Sequence, residues 1–259
     1  MKYRRTYMLN GLLLMTMTAG MMSCMHLAEL EMVKSPRLKI SWAADIDPQI
    51  LPSTYSVAMD NKEPATYKRT VDVVPLYIPP DEIDVPVLIY NVAEGIELNS
   101  TVVTATTDNV GYFFACRQRV NADEDSIYPV TMEQHVRKLT IILNPDFIPF
   151  SIRKIHKATL SGVATKLDLK SGVHSDKKEI KLNFDFSSTD TWWTATVCLL
   201  GIVTEGKPDT ILTIEYEKEG DTVTYTESIK ISDDMKNFNL DKTEPKQIYG
   251  KYVEVIEAS

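Results

Sequence analysis

The chain has 259 residues, a formal net charge of -8 from 28 Lys and Arg against 36 Asp and Glu, and 44% hydrophobic residues. That hydrophobic content is ample for a packed core and excludes a disordered chain. An acidic balance without a basic stripe excludes nucleic acid as a partner and electrostatic docking on anionic lipid.

Lys2, Arg4 and Arg5 open the sequence, and the uncharged stretch "YMLNGLLLMTMTAGMMS" follows. This is the basic n-region and apolar h-region of an export signal. It is shorter than the about 20 strongly apolar residues of a membrane-spanning helix. Arg4-Arg5 lacks the rest of the twin-arginine consensus, so the general export route is the expectation. The stretch ends at Ser23-Cys24, which resembles a bacterial lipobox with Met21 and Met22 in place of the usual leucine. A cysteine thiolate is the nucleophile that accepts diacylglycerol, and each buried CH₂ adds about 0.8 kcal/mol, so several chains anchor firmly. The leader is expected to be a signal peptide over 1–23, followed by a lipidated Cys24 and a tether through residue 36. A secretory signal with an incidental cysteine is the plainer alternative.

Beyond the tether the hydrophobic period is two. "RLKISWA" alternates Leu38, Ile40 and Trp42 with polar neighbours, and "TYSVAMD" repeats this with Tyr55, Val57 and Met59. "NSTVVTATT", "GYFFACRQRV", "RKLTIILN", "KKEIKLNFDF", "TATVCLLGIV" and "KYVEVIE" continue it, separated by Pro, Gly, Asn and Asp clusters. "MDNKEPATYK" reads as a loop, and "PLYIPPDEIDVP", with four prolines, as an edge or crossover. "TILTIEYEKEGDTVTYTESIKI" predicts a long hairpin turning at Glu219-Gly220-Asp221. Only "DDMKNF" (233–238) and the start of "MEQHVRK" suit a short helical turn. The polar run "NADEDSIYPVT" (121–131) is the best boundary, giving all-β sandwich domains at 37–130 and 131–259.

The chemistry-bearing residues form no catalytic or metal motif: there is no G-x-S-x-G, H-E-x-x-H or Gly-rich phosphate loop. No enzyme activity, cofactor or metal is therefore expected. His26, His135, His156 and His174 lack ligand spacing and read as surface or strand histidines. Cys116 and Cys198 read as two small buried core residues in separate domains. The acidic groups "NADEDS" and "DIDPQ" do not match a calcium loop and read as solvated turns. Trp192 and Trp193 adjoin at a strand entrance, so alternation sends one ring inward and one outward. The outward ring is the candidate ligand or interface contact, against a plainer account as core and domain-interface packing. So many strands also leave edges that can accept a strand from another subunit.

"VRKLTIILN", "IHKATLSGVATKLDLKSGV", "VCLLGI" and "LTIEYEKEGDTVTYTESIKISDDM" together resemble the C-terminal half of fimbrial anchor proteins of the type V (fimbrillin-like) pilus system. Residues 158–164, "ATLSGVA", carry most of the likeness, with Lys170-Ser171-Gly172 in support. "LKISWAA" is similar to the opening strand of the same proteins. Gly162 within a strand signals a bulge or a close backbone approach. The resemblance implies two tandem transthyretin-like (Greek-key) sandwiches on an outer-membrane lipoprotein. It also implies fimbrial stalk or accessory subunits as partners, an anchor or cap role, and no catalytic residues. The rival expectation is a surface glycan-binding lipoprotein of a nutrient-uptake system, with Trp192 or Trp193 as the platform.

Overall fold

A computed structural model describes residues 36–59, 62–78, 84–121, 126–143, 152–189, 192–204, 206 and 208–249. Cys24, His26, the leader and "KYVEVIE" lie outside the described residues, as does most of "NADEDS". The first strands are β1 (Arg37–Trp42), β2 (Thr54–Met59), β3 (Ala65–Lys68), β4 (Val73–Pro75), β5 (Asp84–Tyr90), β6 (Ile96–Asn99), β7 (Val102–Ala105), β8 (Phe114–Asn121) and β9 (Ile127–Gln134). They are followed by β10 (Arg137–Leu143), β11 (Ile152–Asp168), β12 (Val173–Lys181), β13 (Asp185–Ser187) and β14 (Trp192–Leu199). β15 (Ile211–Lys218), β16 (Thr224–Lys230) and β17 (Lys246–Tyr249) complete the order. One 3-10 turn, Pro48–Ile50, and no α-helix interrupts these strands among the described residues.

The strands make three sheets. The first runs β3-β2-β5-β8-β9-β1-β4, but β8 and β9 meet at only two register pairs, Phe114↔Gln134 and Ala115↔Glu133. It therefore divides into two leaves, β3-β2-β5-β8 and β9-β1-β4. The inward residues of each leaf are those the alternation marks: Tyr55, Val57, Ile89 and Phe114 on one, Leu38, Ile40, Val74 and Met132 on the other. Tyr55 is fully buried, and its hydroxyl donates to the Val71 carbonyl at 2.6 Å.

The second sheet is β13-β14-β10-β17, and the third is β16-β15-β11-β7-β6 with β12 on the other side of β11. Leu139, Ile141, Val197 and Ile248 of the second sheet share a core with Leu160, Leu212, Ile214 and Ile229 of the third. A third core, with Val103, Val110, Phe113, Val136, Leu167 and Leu200 at its centre, joins the two regions. Asp108 strengthens that joint: its carboxylate accepts from Lys178 Nζ at 2.6 Å and from the Lys181 amide at 3.1 Å.

Several elements differ from the sequence reading. The expected boundary between residues 130 and 131 lies within β9, which pairs in parallel with β1 from Arg37↔Ile127 to Trp42↔Met132. In the same way β7, from before that boundary, pairs with β11 beyond it. Pro129 and the acidic run obscured the alternation of Tyr128, Val130, Met132 and Gln134. "MEQHVRK" contributes to β9 and β10, with no helical turn, because its apolar positions complete two different strands. The last three residues of "PLYIPPDEIDVP", 84–86, enter β5, which sits between β2 and β8. Pro86 is tolerated there because the stretch paired with β2 begins only at Val87. Residues 65–68 of the expected loop form the short edge strand β3.

Other expectations hold in the structure. β15 and β16 form the predicted hairpin, with Gly220 in its turn at φ 79°. Gly162 has φ 80°, lies where β11 slips register against β12, and approaches Asp209 and Thr210 so closely that a Cβ would stand 3.1 Å from the Asp209 carbonyl oxygen. Residues 233–238 make successive turns, with Met235 N donating to Ile231 O and Phe238 N to Met235 O.

Candidate functional site

Trp193 stands opposite Leu143 on β10 and Phe186 on β13. Its ring packs against the adjoining core, 5.2 Å from the Phe186 ring, and its indole Nε1 donates to the Ile152 carbonyl at 3.1 Å. That bond links the start of β14 to the start of β11. Trp192, paired with Ser187, takes the opposite face by strand alternation. Both tryptophans are half-buried, and neither is a fully exposed platform. Phe186 is the more open ring, at 52% exposure.

The densest polar arrangement lies where β9 passes into β10. Arg137 is buried; its Nε donates to the Glu244 carbonyl at 2.6 Å and its Nη1 to the Asn237 and Phe238 carbonyls at 3.1 Å each. The guanidinium also stacks 5.3 Å from the centre of the Phe238 ring. Gln134 Nε2 donates to the Val136 and Lys242 carbonyls at 2.7 Å, while its Oε1 is buried without a partner among the described residues. Thr243 Oγ1 donates to Asp45 at 2.7 Å, drawing the end of β1 to the same segment. Beside this network lies an open cleft of about 780 Å³ lined by Asp45, Glu133, Arg137 and residues 239–244.

Of the histidines read as surface or strand positions, His174 lies in β12 and His135 lies between β9 and β10, and both are buried. His135 accepts at Nδ1 from Lys242 Nζ at 3.2 Å, so its Nε2 carries the proton and donates to the Ala115 carbonyl at 3.3 Å. Burial first, and the neighbouring Lys242 second, push its pKa down to about 3. His174 packs against Gly201, and burial, again with Lys242, pushes it down to about 4. Both rings are neutral at physiological pH; His135 bonds through both nitrogens, whereas His174 Nε2 is buried without a partner among the described residues. His156, half-exposed on β11, instead bonds Glu217 at 2.8 Å, and Arg153 engages the same carboxylate.

Cys116 and Cys198 are free and half-buried, a correction to the sequence reading, since both were expected to be buried. Burial pushes both thiols up, which disfavours the nucleophilic thiolate. No group of three His, Cys, Asp or Glu side chains is placed to hold a metal among the described residues. The junction fastens backbone segments together. Sequence reasoning named His135 without this role and missed Gln134, Arg137 and Lys242. The signal was present in polar side chains that interrupt two apolar strands at their meeting point.

No family model matches the sequence, and no curated protein matches it. Among solved structures, a candidate adhesin of Bacteroides ovatus ATCC 8483 is 13% identical over 84% of this chain and 89% of its own, with a TM-score of 0.59. A second candidate adhesin of Bacteroides ovatus is 10% identical over 83% and 87%, with a TM-score of 0.58. A candidate polysaccharide-binding protein of Bacteroides thetaiotaomicron VPI-5482 is 8% identical over 83% and 89%, with a TM-score of 0.54. At these identities the likeness shows the fold alone.

Proposed function

We propose that this chain is a lipid-anchored cell-surface protein that acts as a fimbrial anchor or accessory subunit. The observation that carries the reading is the three-sheet fold, shared with candidate adhesins at TM-scores of 0.59 and 0.58 over more than four-fifths of the chain. The sequence adds a charged-then-apolar leader ending at Ser23-Cys24. In this reading residues 1–23 are removed, acyl chains on Cys24 hold the protein at the outer membrane, and residues 24–36 form a tether. Two sandwiches, fastened through the Arg137 junction, then present sheet edges to a fimbrial subunit. Main-chain hydrogen bonds supply affinity and alternating side-chain pockets supply specificity. The role is mechanical and needs no catalytic residue.

Cell fractionation of wild type and Cys24→Ala tests the anchor. Wild type is expected in the outer-membrane fraction and open to protease on intact cells, with the variant released or retained as precursor. Equal amounts of processed variant and wild type in the outer-membrane fraction would exclude lipidation at Cys24.

A second reading has its own support. One structural neighbour is a candidate polysaccharide-binding protein, and Phe186 lies exposed beside the Trp192-Trp193 pair. Binding of surface oligosaccharides that falls away in Trp192→Ala and Phe186→Ala would favour it. Flat titrations would remove it.

A further inference from the structure

We propose that the outer edge of β16 is a strand-addition site for an extended segment of another protein, one carrying a basic side chain opposite Glu227. This inference rests on the reading that the chain holds a partner subunit through strand contacts.

An open edge invites pairing unless it is short, kinked or charged. β3, β4, β6, β13 and β17 each have three or four residues. β12 has nine, but Asp176 breaks its extended backbone at φ 56°, and Lys177, Lys178 and Lys181 line it. β16 has seven residues, pairs with β15 without a register break, and contains neither proline nor glycine.

The direction of its backbone groups follows from one bond. Ile231 N donates to Thr210 O at 2.9 Å, in step with the Lys230↔Ile211 register. Antiparallel ladders alternate bonded and non-bonded pairs. Ile229, Glu227 and Tyr225 therefore exchange bonds with β15, while Lys230, Ser228, Thr226 and Thr224 turn their N–H and C=O groups outward. All four outward residues are exposed, and none has a backbone partner among the described residues.

The side chains select the occupant. On one face an added strand meets Tyr225, Glu227 and Ile229. Ile229 is buried, and Tyr225 is fixed by its hydroxyl bond to Asp221 at 2.6 Å and by stacking on Tyr216. Glu227 Oε2 accepts from the Tyr216 hydroxyl at 3.3 Å, so the face offers one carboxylate, half-buried and with one oxygen already bonded, between two apolar neighbours. A second copy pairing through a two-fold axis at Glu227 would satisfy the backbone, aligning Thr226 with Ser228. It would also bring two Glu227 carboxylates directly opposite, which is destabilising. A different strand, apolar-x-basic-x-apolar, suits all three positions.

The probes are two blocked peptides, Ser-Val-Thr-Lys-Thr-Ile-Ser and its twin with Glu at the centre, added to the lipidated protein in detergent. The Lys peptide is expected to slow amide exchange at Thr224, Thr226, Ser228 and Lys230 and to bind about tenfold tighter than its twin, a difference of about 1.4 kcal/mol. Glu227→Lys should reverse that order. Thr226→Pro removes one outward N–H at an edge position that tolerates proline, and should abolish protection without changing the melting temperature. Equal binding of both peptides, no protection, or protection at another edge overturns the proposal. So does a dimer strengthened by Glu227→Gln, which would give the edge to a second copy. Fractionation of Cys24→Ala reads the anchoring separately, so failure at β16 leaves that reading untouched.

Discussion

Lys178 Nζ lies 2.6 Å from the Asp108 carboxylate and joins the loop after β7 to the middle of β12. The pair is partly open, with side-chain exposures of 41% and 36%. Screening therefore limits the ion pair itself to about 1 kcal/mol or less. Asp108 also accepts the Lys181 amide, so the two partners are unequal. Asp108→Ala should lower stability more than Lys178→Met in urea denaturation, with both losses near or below about 1.5 kcal/mol. Equal losses would mean that the Lys181 bond contributes nothing.

The buried histidines predict a particular acid sensitivity. His135 and His174 have folded pKa values near 3 and 4, below the ordinary value of 6.5. Their neutral forms favour the folded state, so this contribution is complete above pH 6.5. It is lost as pH falls from 6.5 toward 4, at up to about 1.4 kcal/mol per pH unit for each ring. The paired carboxylates, such as Asp108 and Asp209, have lowered values and lose their contributions only below about pH 4. Denaturation midpoints between pH 7 and 5 thus isolate the histidines. His135→Gln with His174→Gln should flatten that profile even where it lowers stability overall.

The Arg137 side chain donates to three carbonyls of the 237–244 segment. Arg137→Leu should cost about 2–3 kcal/mol, because the buried Phe238 carbonyl and the part-buried Asn237 and Glu244 carbonyls lose a charged donor. Arg137→Lys should recover only part of this, since an ammonium cannot reproduce the planar fork. Amide exchange at residues 237–244 should quicken more than at β15. Uniform quickening would indicate that the clasp acts globally.

Gly162 predicts a backbone-specific loss. Alanine at φ 80° is strained by about 1–3 kcal/mol, and its Cβ would also press on the Asp209 carbonyl. Gly162→Ala should lower the melting temperature markedly, whereas Gly172→Ala should lower it less. Gly172 has φ 72° but nothing within 4 Å of the added Cβ. Equal effects would remove close approach as a cause.

Alternation was enough to read the all-β class, the β15–β16 hairpin and the Gly162 bulge, because each is written in local pattern. Long-range pairing was not. Nothing local says that β9 runs parallel to β1, or that β7 joins β11 across the expected boundary, since those choices depend on which apolar faces meet. The candidate surfaces were legible only in part. The period of two put one of Trp192 and Trp193 inward and the other outward, whereas both are half-buried. The burial of His135 beside Lys242 required two segments 107 residues apart to meet. Cys24 remains legible only as chemistry, through the leader that precedes it.

The central claim is that Cys24 fastens a fimbria-holding protein to the membrane. It is tested most directly by counting fimbriae that sediment with cells and those shed into the medium, in wild type and in Cys24→Ala. The account predicts that the variant sheds fimbriae of normal length together with this protein. Fimbriae that remain cell-bound in the variant, at wild-type number, would contradict it.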